Sequence, residues 1–141
     1  MPPLFRLLYI SDSCIDEADH HREVEKIIAT AKNRNGPMAL TGALLFTGNH
    51  FVQILEGPAD SLDRMMASLA ADHRHVNIDV IMRDKIKSRQ FSGWGLAYHG
   101  PSKFVGDHVL KLLSAKSPSE IKRATEWLVK LAHEFSKDLA A

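Results

Sequence analysis

The sequence predicts an α+β domain in which a five-stranded sheet carries two helices on one face, and three observations lead to this class. Five short segments are rich in apolar residues that run unbroken or alternate with polar ones, as in strands. Two segments between them repeat apolar residues at helical spacing. A glycine-containing turn between the second and third strands indicates a hairpin. The predicted order is β-α-β-β-α-β-β.

The first strand and first helix come from residues 4–35. "LFRLLYIS" is apolar on both faces apart from Arg6, which predicts a strand buried on both faces. A polar loop, "DSCIDEADHH", leads into a helix. The apolar stripe of that helix is Val24, Ile27, Ile28 and Ala31. Gly36 and Pro37 end it.

The hairpin and second helix follow. "ALTGALLF" and "HFVQILEG" form two strands joined by Thr47, Gly48 and Asn49. Gly57 and Pro58 open the next helix, since proline at an early helical position has no N–H to leave unpaired. The apolar stripe of this helix is Leu62, Met65, Met66 and Leu69.

"HVNIDVIMRD" alternates as a fourth strand, and "FSGWGLAYHG" is a short fifth strand interrupted by glycines. Because right-handed crossovers place both helices on one face of the sheet, the last forty residues are expected to cover the other face. They form a short helix, "GDHVLKLLSA", and a long one with a capping box at Ser117 and Glu120 and with Pro118 in its first turn.

The long helix has an apolar seam formed by Ile121, Ala124, Leu128, Leu131 and Phe135. Docking of this seam on the sheet is the favoured interpretation, and a dimer or effector surface is the alternative. The expected division is a domain at 1–100 and a helical extension or cap at 101–141.

Composition limits the function classes. The chain has 141 residues, 45% of them apolar and 25% charged, which is typical of one globular domain. A net charge of +1 gives no indication of nucleic acid or membrane binding. Cys14 is the only cysteine, and no signal peptide or membrane-length apolar run is present, so the expected location is the cytoplasm.

Motifs for catalysis or metal binding are weak. The chain has no phosphate-binding glycine loop and no Ser/His/Asp pattern. "DHRHVNID" contains His73 and His75, which would be half of a metal site at most, so the expected metal is none.

Three side chains with polar tips point toward apolar layers. Tyr9 shares its strand face with Phe5 and Leu7, Gln53 shares its face with Phe51 and Leu55, and Trp94 shares its face with Leu96 and Tyr98. Each alone is more often a core residue with one satisfying hydrogen bond than a functional group. Periodicity alone identifies no ligand for the three.

Several motifs together resemble the BLUF domain, the flavin-binding sensor of blue light. They are "LLYIS", "NRNGPMALTGALLF", "HFVQILEGP", "LAADHRH" and "RQFSGWGLA", in the family's order, over roughly residues 4–98. The resemblance implies a ferredoxin-like sandwich with the same element order. It also implies a flavin cofactor, expected to be FAD with FMN or riboflavin as alternatives, and a sensor without enzymatic turnover.

The resemblance assigns roles to individual positions. Tyr9, Gln53 and Trp94 match the photoactive tyrosine, the switching glutamine and the semi-conserved tryptophan of the family. Gln53 would lie between the Tyr9 hydroxyl and the flavin, and light would leave its amide rotated or tautomerised. The remaining implied flavin contacts are Asn35 at the carbonyl and imide edge, Ile27 and Leu69 against the ring, and Asp72, Arg74 and His75 on the pyrimidine and ribityl side.

The chain departs from the family pattern at two sites. Leu96 stands where a methionine usually follows the tryptophan. Ser68 stands where many members carry a basic side chain near the phosphate, and Arg64, one turn earlier, is the candidate replacement.

Two other functions compete with a photoreceptor that signals to an unidentified partner protein and forms homo-oligomers. One is a BLUF-like interaction module without flavin. The other is a small enzyme of acylphosphatase type, which needs an arginine in the loop after the first strand. That loop, "ISDSCIDEADHH", is acidic and contains no arginine.

Overall fold

The computed structural model describes residues 2–99 and 103–139, with no side-chain description for 98–99, 103–104 and 137–139. The strands are β1 (Leu4–Ser13), β2 (Thr41–Phe46), β3 (His50–Pro58), β4 (His75–Ile86) and β5 (Trp94–His99). The helices are α1 (His20–Asn35), α2 (Ala59–Ala70), α3 (Lys103–Ser114) and α4 (Pro118–Leu139), and a short 3-10 helix (Glu17–Asp19) precedes α1. The predicted element order is confirmed.

The strands form one sheet in the order β4-β1-β3-β2-β5. Neighbouring strands are antiparallel except β2 and β5, which are parallel. β1 lies beside β3 with Tyr9 opposite Gln53, and this register brings together two residues that are 44 positions apart in the chain. The fold is the α+β, ferredoxin-like arrangement that the sequence predicts, with β5 added beside β2.

Alternation along the central strands divides the core between the two sheet faces. Tyr9 and Leu55 pack with residues of α2 on one face, and Phe51 packs with Val24 of α1 on the same face. Leu8 and Ile54 pack on the opposite face. Each central strand therefore contributes side chains to two separate apolar layers, as period-two alternation requires.

The C-terminal helices cover the second face. The buried cluster there joins residues of β1, β2 and β3 to Val109 and Leu112 of α3 and to Leu128, Val129 and Ala132 of α4. The sheet-docking interpretation of the α4 seam is therefore confirmed, although Leu131 is only half-buried and lies outside this cluster. The Ser117 hydroxyl accepts a hydrogen bond from the Glu120 N–H, as in a capping box, while the Glu120 carboxylate accepts from the Lys116 N–H instead of from Ser117.

Gly42 in "LTGALLF" allows β2 to lie close to β3. A Cβ at this position would lie 1.8 Å from the backbone oxygen of Ile54, and the glycine has φ +150°. A side chain at Gly42 would therefore push the strands apart next to the residues that flank Gln53.

No helix in the described part of the chain has both the length and the apolar character needed to cross a bilayer.

Candidate functional site

The three polar-tipped residues identified in the sequence form one hydrogen-bonded chain. The Gln53 Nε2 donates to the Tyr9 hydroxyl at 2.6 Å, and the Trp94 Nε1 donates to the Gln53 Oε1 at 2.9 Å. β1, β3 and β5 supply one residue each, and β2 lies between β3 and β5. Both ends of a single buried amide are therefore held by aromatic side chains.

Tyr9 lies in the deepest part of this chain, with 1% of its surface exposed. Burial raises the pKa of the Tyr9 phenol well above its ordinary value of 10.0, although the hydrogen bond to Gln53 acts in the opposite direction. The folded chain therefore holds the Tyr9 proton more tightly than the unfolded chain does.

A cavity of about 30 Å³ lies beside Tyr9 and Gln53, between α1 and α2. Its lining includes seven predicted site residues, namely Tyr9, Ile27, Gln53, Leu69, Asp72, Arg74 and His75, together with Leu44 and Phe51. This volume holds about one or two water molecules. A three-ring group is larger than this volume.

On the polar side of the cavity, Asp72 and Arg74 form an ion pair. Arg74 donates to both carboxylate oxygens of Asp72, from Nε at 2.9 and 3.1 Å and from Nη2 at 2.7 Å. Burial acts to raise the pKa of the Asp72 carboxyl, but the hydrogen bonds and charge of Arg74 outweigh it, so the pKa lies below its ordinary value of 3.8. The pair therefore stays ionised and presents fixed charges at the cavity.

His75 is held in one orientation between two elements. Its Nε2 lies 2.7 Å from the backbone oxygen of Leu69, and its Nδ1 lies 2.7 Å from the Ser11 hydroxyl. Because a carbonyl oxygen only accepts, Nε2 carries a proton, and in the neutral ring Nδ1 accepts from Ser11. The end of α2 is thereby tied to β1 next to Tyr9.

Asn35, the last residue of α1, is buried and has an unsatisfied side chain. Neither its Nδ2 nor its Oδ1 has a hydrogen-bond partner among the described residues. A buried amide that lacks both an acceptor and a donor is costly unless a ligand supplies them. An adjacent carbonyl and imide N–H, as on a flavin, has that pairing, so the residue fits the group, although Asn35 is outside the lining of the 30 Å³ cavity.

Ser68 also lies outside this lining. It is exposed on α2, and its hydroxyl accepts a hydrogen bond from the Arg34 Nη1 at 2.5 Å. Arg34 is therefore the basic group beside Ser68, whereas the candidate replacement Arg64 is exposed on α2 with no described bond to it. Sequence reasoning missed Arg34 because this contact joins residues 34 positions apart on different helices.

The last strand supplies the apolar neighbours of Trp94. Leu96, which stands at the usual methionine position, packs with Leu44 and Phe46 on the same sheet face. The side chain of Tyr98, predicted to share that face, lies outside the described residues.

Larger grooves lie elsewhere on the described residues. One of about 780 Å³ is between α3 and α4, and one of about 570 Å³ follows the start of β5. Neither is lined by Tyr9, Gln53 or Asn35. The buried polar network of Tyr9 and Gln53 borders the smaller cavity instead.

The site therefore combines a hydrogen-bonded Tyr9–Gln53–Trp94 chain with a buried Asn35 amide that has no described partner, on a ferredoxin-like sheet. The family model for BLUF, described as sensors of blue light using FAD, matches residues 4–97. The chain belongs to the BLUF family. The match covers nearly the segment over which the sequence motifs indicated the resemblance.

Curated relatives are light-regulated proteins. The blue light- and temperature-regulated antirepressor BluF of Escherichia coli K12 is 31% identical over 101 residues, which are 72% of this chain and 25% of that protein. The photoactivated adenylate cyclase subunit beta of Euglena gracilis is 29% identical over 91 residues, 64% of this chain and 11% of that subunit. The chain thus spans a quarter or less of the length of these two relatives.

Solved structures agree on the fold. The dark-state structure of BlrB, a BLUF protein, has a TM-score of 0.73 at 24% identity and covers 97% of this chain and 98% of its own. The ground state of BlsA has a TM-score of 0.74 at 22% identity and covers 92% and 87%. The family assignment confirms the predictions of a flavin cofactor and of a blue-light sensor instead of an acylphosphatase-like enzyme.

Proposed function

We propose that this chain senses light through a switch at Gln53, whose amide changes its hydrogen bonds to Tyr9 and Trp94, and that β5 carries the change to a partner protein. The observation that supports the proposal is the bonding of Gln53 at both ends, to Tyr9 through Nε2 and to Trp94 through Oε1. No substrate is turned over in this proposal.

The two orientations of the Gln53 amide differ in what they can bond. A tyrosine hydroxyl both donates and accepts, so it can pair with either end of the amide. An indole N–H only donates, so it pairs with the oxygen and not with the NH₂ group. Rotation of the amide by half a turn therefore keeps a bond to Tyr9, with its direction reversed, and breaks the bond to Trp94.

Tyr9 is the trigger in this scheme. A bound flavin supplies absorption of blue light and acceptance of an electron. Tyr9 carries its hydroxyl proton, its pKa is raised by burial, and its hydroxyl already contacts Gln53. An electron and then the hydroxyl proton of Tyr9 would pass to the flavin, and their return would leave the Gln53 amide rotated, with the restored Tyr9 hydroxyl donating to the Gln53 Oε1.

The flavin is proposed to bind between α1 and α2. Ile27 and Leu69 would contact the ring, Asn35 would pair with its carbonyl and imide edge, and Asp72, Arg74 and His75 would line the polar side. Ser68, with Arg34 bonded to it, would lie toward the phosphate of FMN or FAD. Ile27, Leu69, Asp72, Arg74 and His75 line one cavity with Tyr9 and Gln53, which supports a shared site for these residues.

We propose that the light-induced change reaches a partner protein through the C-terminal helices. Residues 1–100 would form the sensor, and residues 101–141 the cap that a downstream protein contacts. We further propose a cytoplasmic location, consistent with a lone exposed Cys14, and assembly into homo-oligomers.

Tyr9→Phe tests the trigger. The variant keeps the ring volume and loses the hydroxyl, so we expect bound flavin with a near-normal dark spectrum and no light-induced red shift. Absorption spectra before and after blue light measure the shift, and acid release followed by chromatography identifies the flavin. Trp127→Phe, at an exposed position of α4, is the aromatic control that should keep a normal shift. A full red shift in Tyr9→Phe would remove Tyr9 from the mechanism, and a colourless protein even after reconstitution would support the flavin-free interaction module.

A further inference from the structure

Glu56 is a fully buried carboxylate at the far end of β3 from the hairpin, three residues after Gln53. Arg6 donates to its Oε2 from Nε at 3.0 Å and from Nη2 at 2.7 Å. The Thr41 hydroxyl donates to its Oε1 at 3.1 Å. Arg6 and Thr41 are its direct cross-strand neighbours on β1 and β2, so the carboxylate joins three adjacent strands.

Glu56 also binds the segment that leads into β5. The backbone N–H of Gln90 donates to both carboxylate oxygens, at 3.2 and 3.0 Å, and the N–H of Phe91 donates to Oε1 at 3.0 Å. Every contact to the carboxylate comes from a donor, as an ionised acid group requires. Glu56 therefore fixes the backbone of residues 90–91 to the middle of the sheet.

Arg89 reinforces the same attachment. Its Nη1 donates to the Thr41 hydroxyl and to the backbone oxygen of Glu56, both at 2.9 Å, and its Nη2 donates to the backbone oxygen of Ala39 at 2.8 Å. We call Arg6, Thr41, Glu56 and Arg89 the Glu56 clamp. None of these residues lines the cavity beside Tyr9.

The clamp lies just before Trp94 in the chain. Phe91 is anchored by Glu56 and buried against the C-terminal helices, and the Gly42 N–H donates to the backbone oxygen of Gly93 at 3.0 Å. Three residues span at most about 10 Å. Trp94 therefore cannot move far along β2 while Phe91 stays fixed. The Trp94 indole then meets the Gln53 amide, which is on the same strand as Glu56.

We propose that Glu56 is a positioning residue that holds the start of β5 so that the Trp94 indole reaches the Gln53 amide. The inference rests on the proposed switch at Gln53 and extends it. In this arrangement β3 holds both ends of residues 90–94, through Glu56 on one sheet face and Gln53 on the other. When the Trp94–Gln53 bond breaks, Glu56 keeps residues 90–91 in place, and movement is confined to Trp94 and the strand beyond it.

A contribution to stability alone is a poor explanation for the clamp. Burying an ion pair costs desolvation free energy, and the attraction between the two charges often does no more than balance that cost. A buried pair with all its hydrogen bonds can, however, specify one geometry. Here the backbone partners of the carboxylate and of Arg89 belong to residues 90–91, Glu56 and Ala39, and the side-chain partners are Arg6 and Thr41. That distribution suits the placement of a segment.

The decisive measurement is the indole N–H signal of Trp94 in the ¹⁵N-labelled full chain with its bound flavin. The chain has two tryptophans, and Trp94→Phe identifies which signal belongs to Trp94. Glu56→Gln keeps the side-chain volume but replaces one carboxylate oxygen with an NH₂ group. That group cannot accept the hydrogen bonds that the oxygen accepts. In its dark-state spectrum we expect the Trp94 signal to move toward the position of an unbonded indole, while that of Trp127 stays in place.

Arg89→Met is the second variant and decides the matter if Glu56→Gln fails to fold, because it removes only the outer bonds of the clamp and keeps the aliphatic stem. The matched control is Arg83→Met on β4, where the arginine bonds Asp63 at the surface. We expect Arg89→Met to move the Trp94 signal in the same direction and Arg83→Met to leave it unchanged. An unmoved Trp94 signal in every folded clamp variant would overturn the proposal.

Kinetics give an independent readout. Loss of one hydrogen bond of about 1 kcal/mol changes a rate about fivefold, so the dark-recovery rate should change by that factor in the folded clamp variants. Combined with Trp94→Phe, the same change should have no further effect, since the clamp acts through Trp94. A full fivefold change in the Trp94→Phe background would contradict the inference. If the chain proves to bind no flavin, the proposed switch fails, and the Trp94 signal of the flavin-free chain still tests the clamp.

Discussion

The two faces of the sheet are built from the same strands and have opposite characters. On the face covered by α3 and α4, the core is an apolar cluster that includes Leu8, Ile54 and Leu128. On the face covered by α1 and α2, two smaller clusters surround Tyr9 and Gln53, which bond each other. A shift of one residue along β1 or β3 moves from one environment to the other.

This difference separates stability from function within one sheet. An apolar layer gains from close packing and has one best arrangement. A buried amide held by hydrogen bonds can adopt two arrangements of similar cost when its partners tolerate both. In the proposed switch, the Tyr9–Gln53–Trp94 chain would rearrange on the face with the smaller clusters while the apolar cluster on the opposite face would keep the sheet intact.

The largest expected effect comes from breaking the apolar face. Leu128→Ala removes a fully buried side chain from the cluster between α4 and the sheet. We expect the free energy of unfolding to fall by about 2–5 kcal/mol, because lost burial and a residual cavity add. The light-induced red shift should keep its size in the folded fraction. Urea denaturation measures the loss, with Leu113→Ala, at an exposed position of α3, as a control near zero. A near-zero loss for Leu128 would show that the helices do not stabilise the sheet.

A smaller stability effect, with a complete loss of response, is expected on the other face. Gln53→Leu keeps the approximate volume but leaves the Tyr9 hydroxyl and the Trp94 indole without their shared partner. The cost should be about 1–3 kcal/mol, and flavin should still bind. Light should then produce no red shift, and infrared difference spectra should lose the change at the flavin carbonyl. Gln90→Leu, where the side chain is exposed, is the matched control. A reversible shift of normal size in Gln53→Leu would reduce Gln53 to a satisfied core amide.

The smallest effect is expected from alkaline pH. Tyr9 has a folded-state pKa raised above its ordinary value of 10.0, so the folded chain retains a proton that the unfolded chain loses. The contribution of Tyr9 is therefore complete below pH 10 and declines as pH rises above it, by at most about 1.4 kcal/mol per pH unit. Denaturation of wild type and Tyr9→Phe between neutral pH and pH 11 checks this, since their difference should narrow only above pH 10. A constant difference across that range would show that Tyr9 ionises as readily in the folded chain as in the unfolded one.

The sequence by itself determined the element order and the side of the sheet that each central residue faces. Both follow from local rules, since strands alternate with period two and helices repeat near 3.6 residues. Tyr9, Gln53 and Trp94 stood out for that reason, as polar tips aimed at apolar layers. The docking of α4 also followed from the spacing of its seam, with Leu131 as the one member outside the cluster.

Only the tertiary structure decided which groups pair across the chain. It brought Trp94 to the oxygen of Gln53, Arg34 to Ser68, and Glu56 to the start of β5. Periodicity gives the face of a residue but not its neighbours on other strands, because those depend on sheet order and register. The β4-β1-β3-β2-β5 order aligns Arg6 of β1 with Glu56, 50 positions later, beside Thr41 of the same hairpin. Contacts of that kind form only when the whole sheet has assembled, so no local pattern contains them.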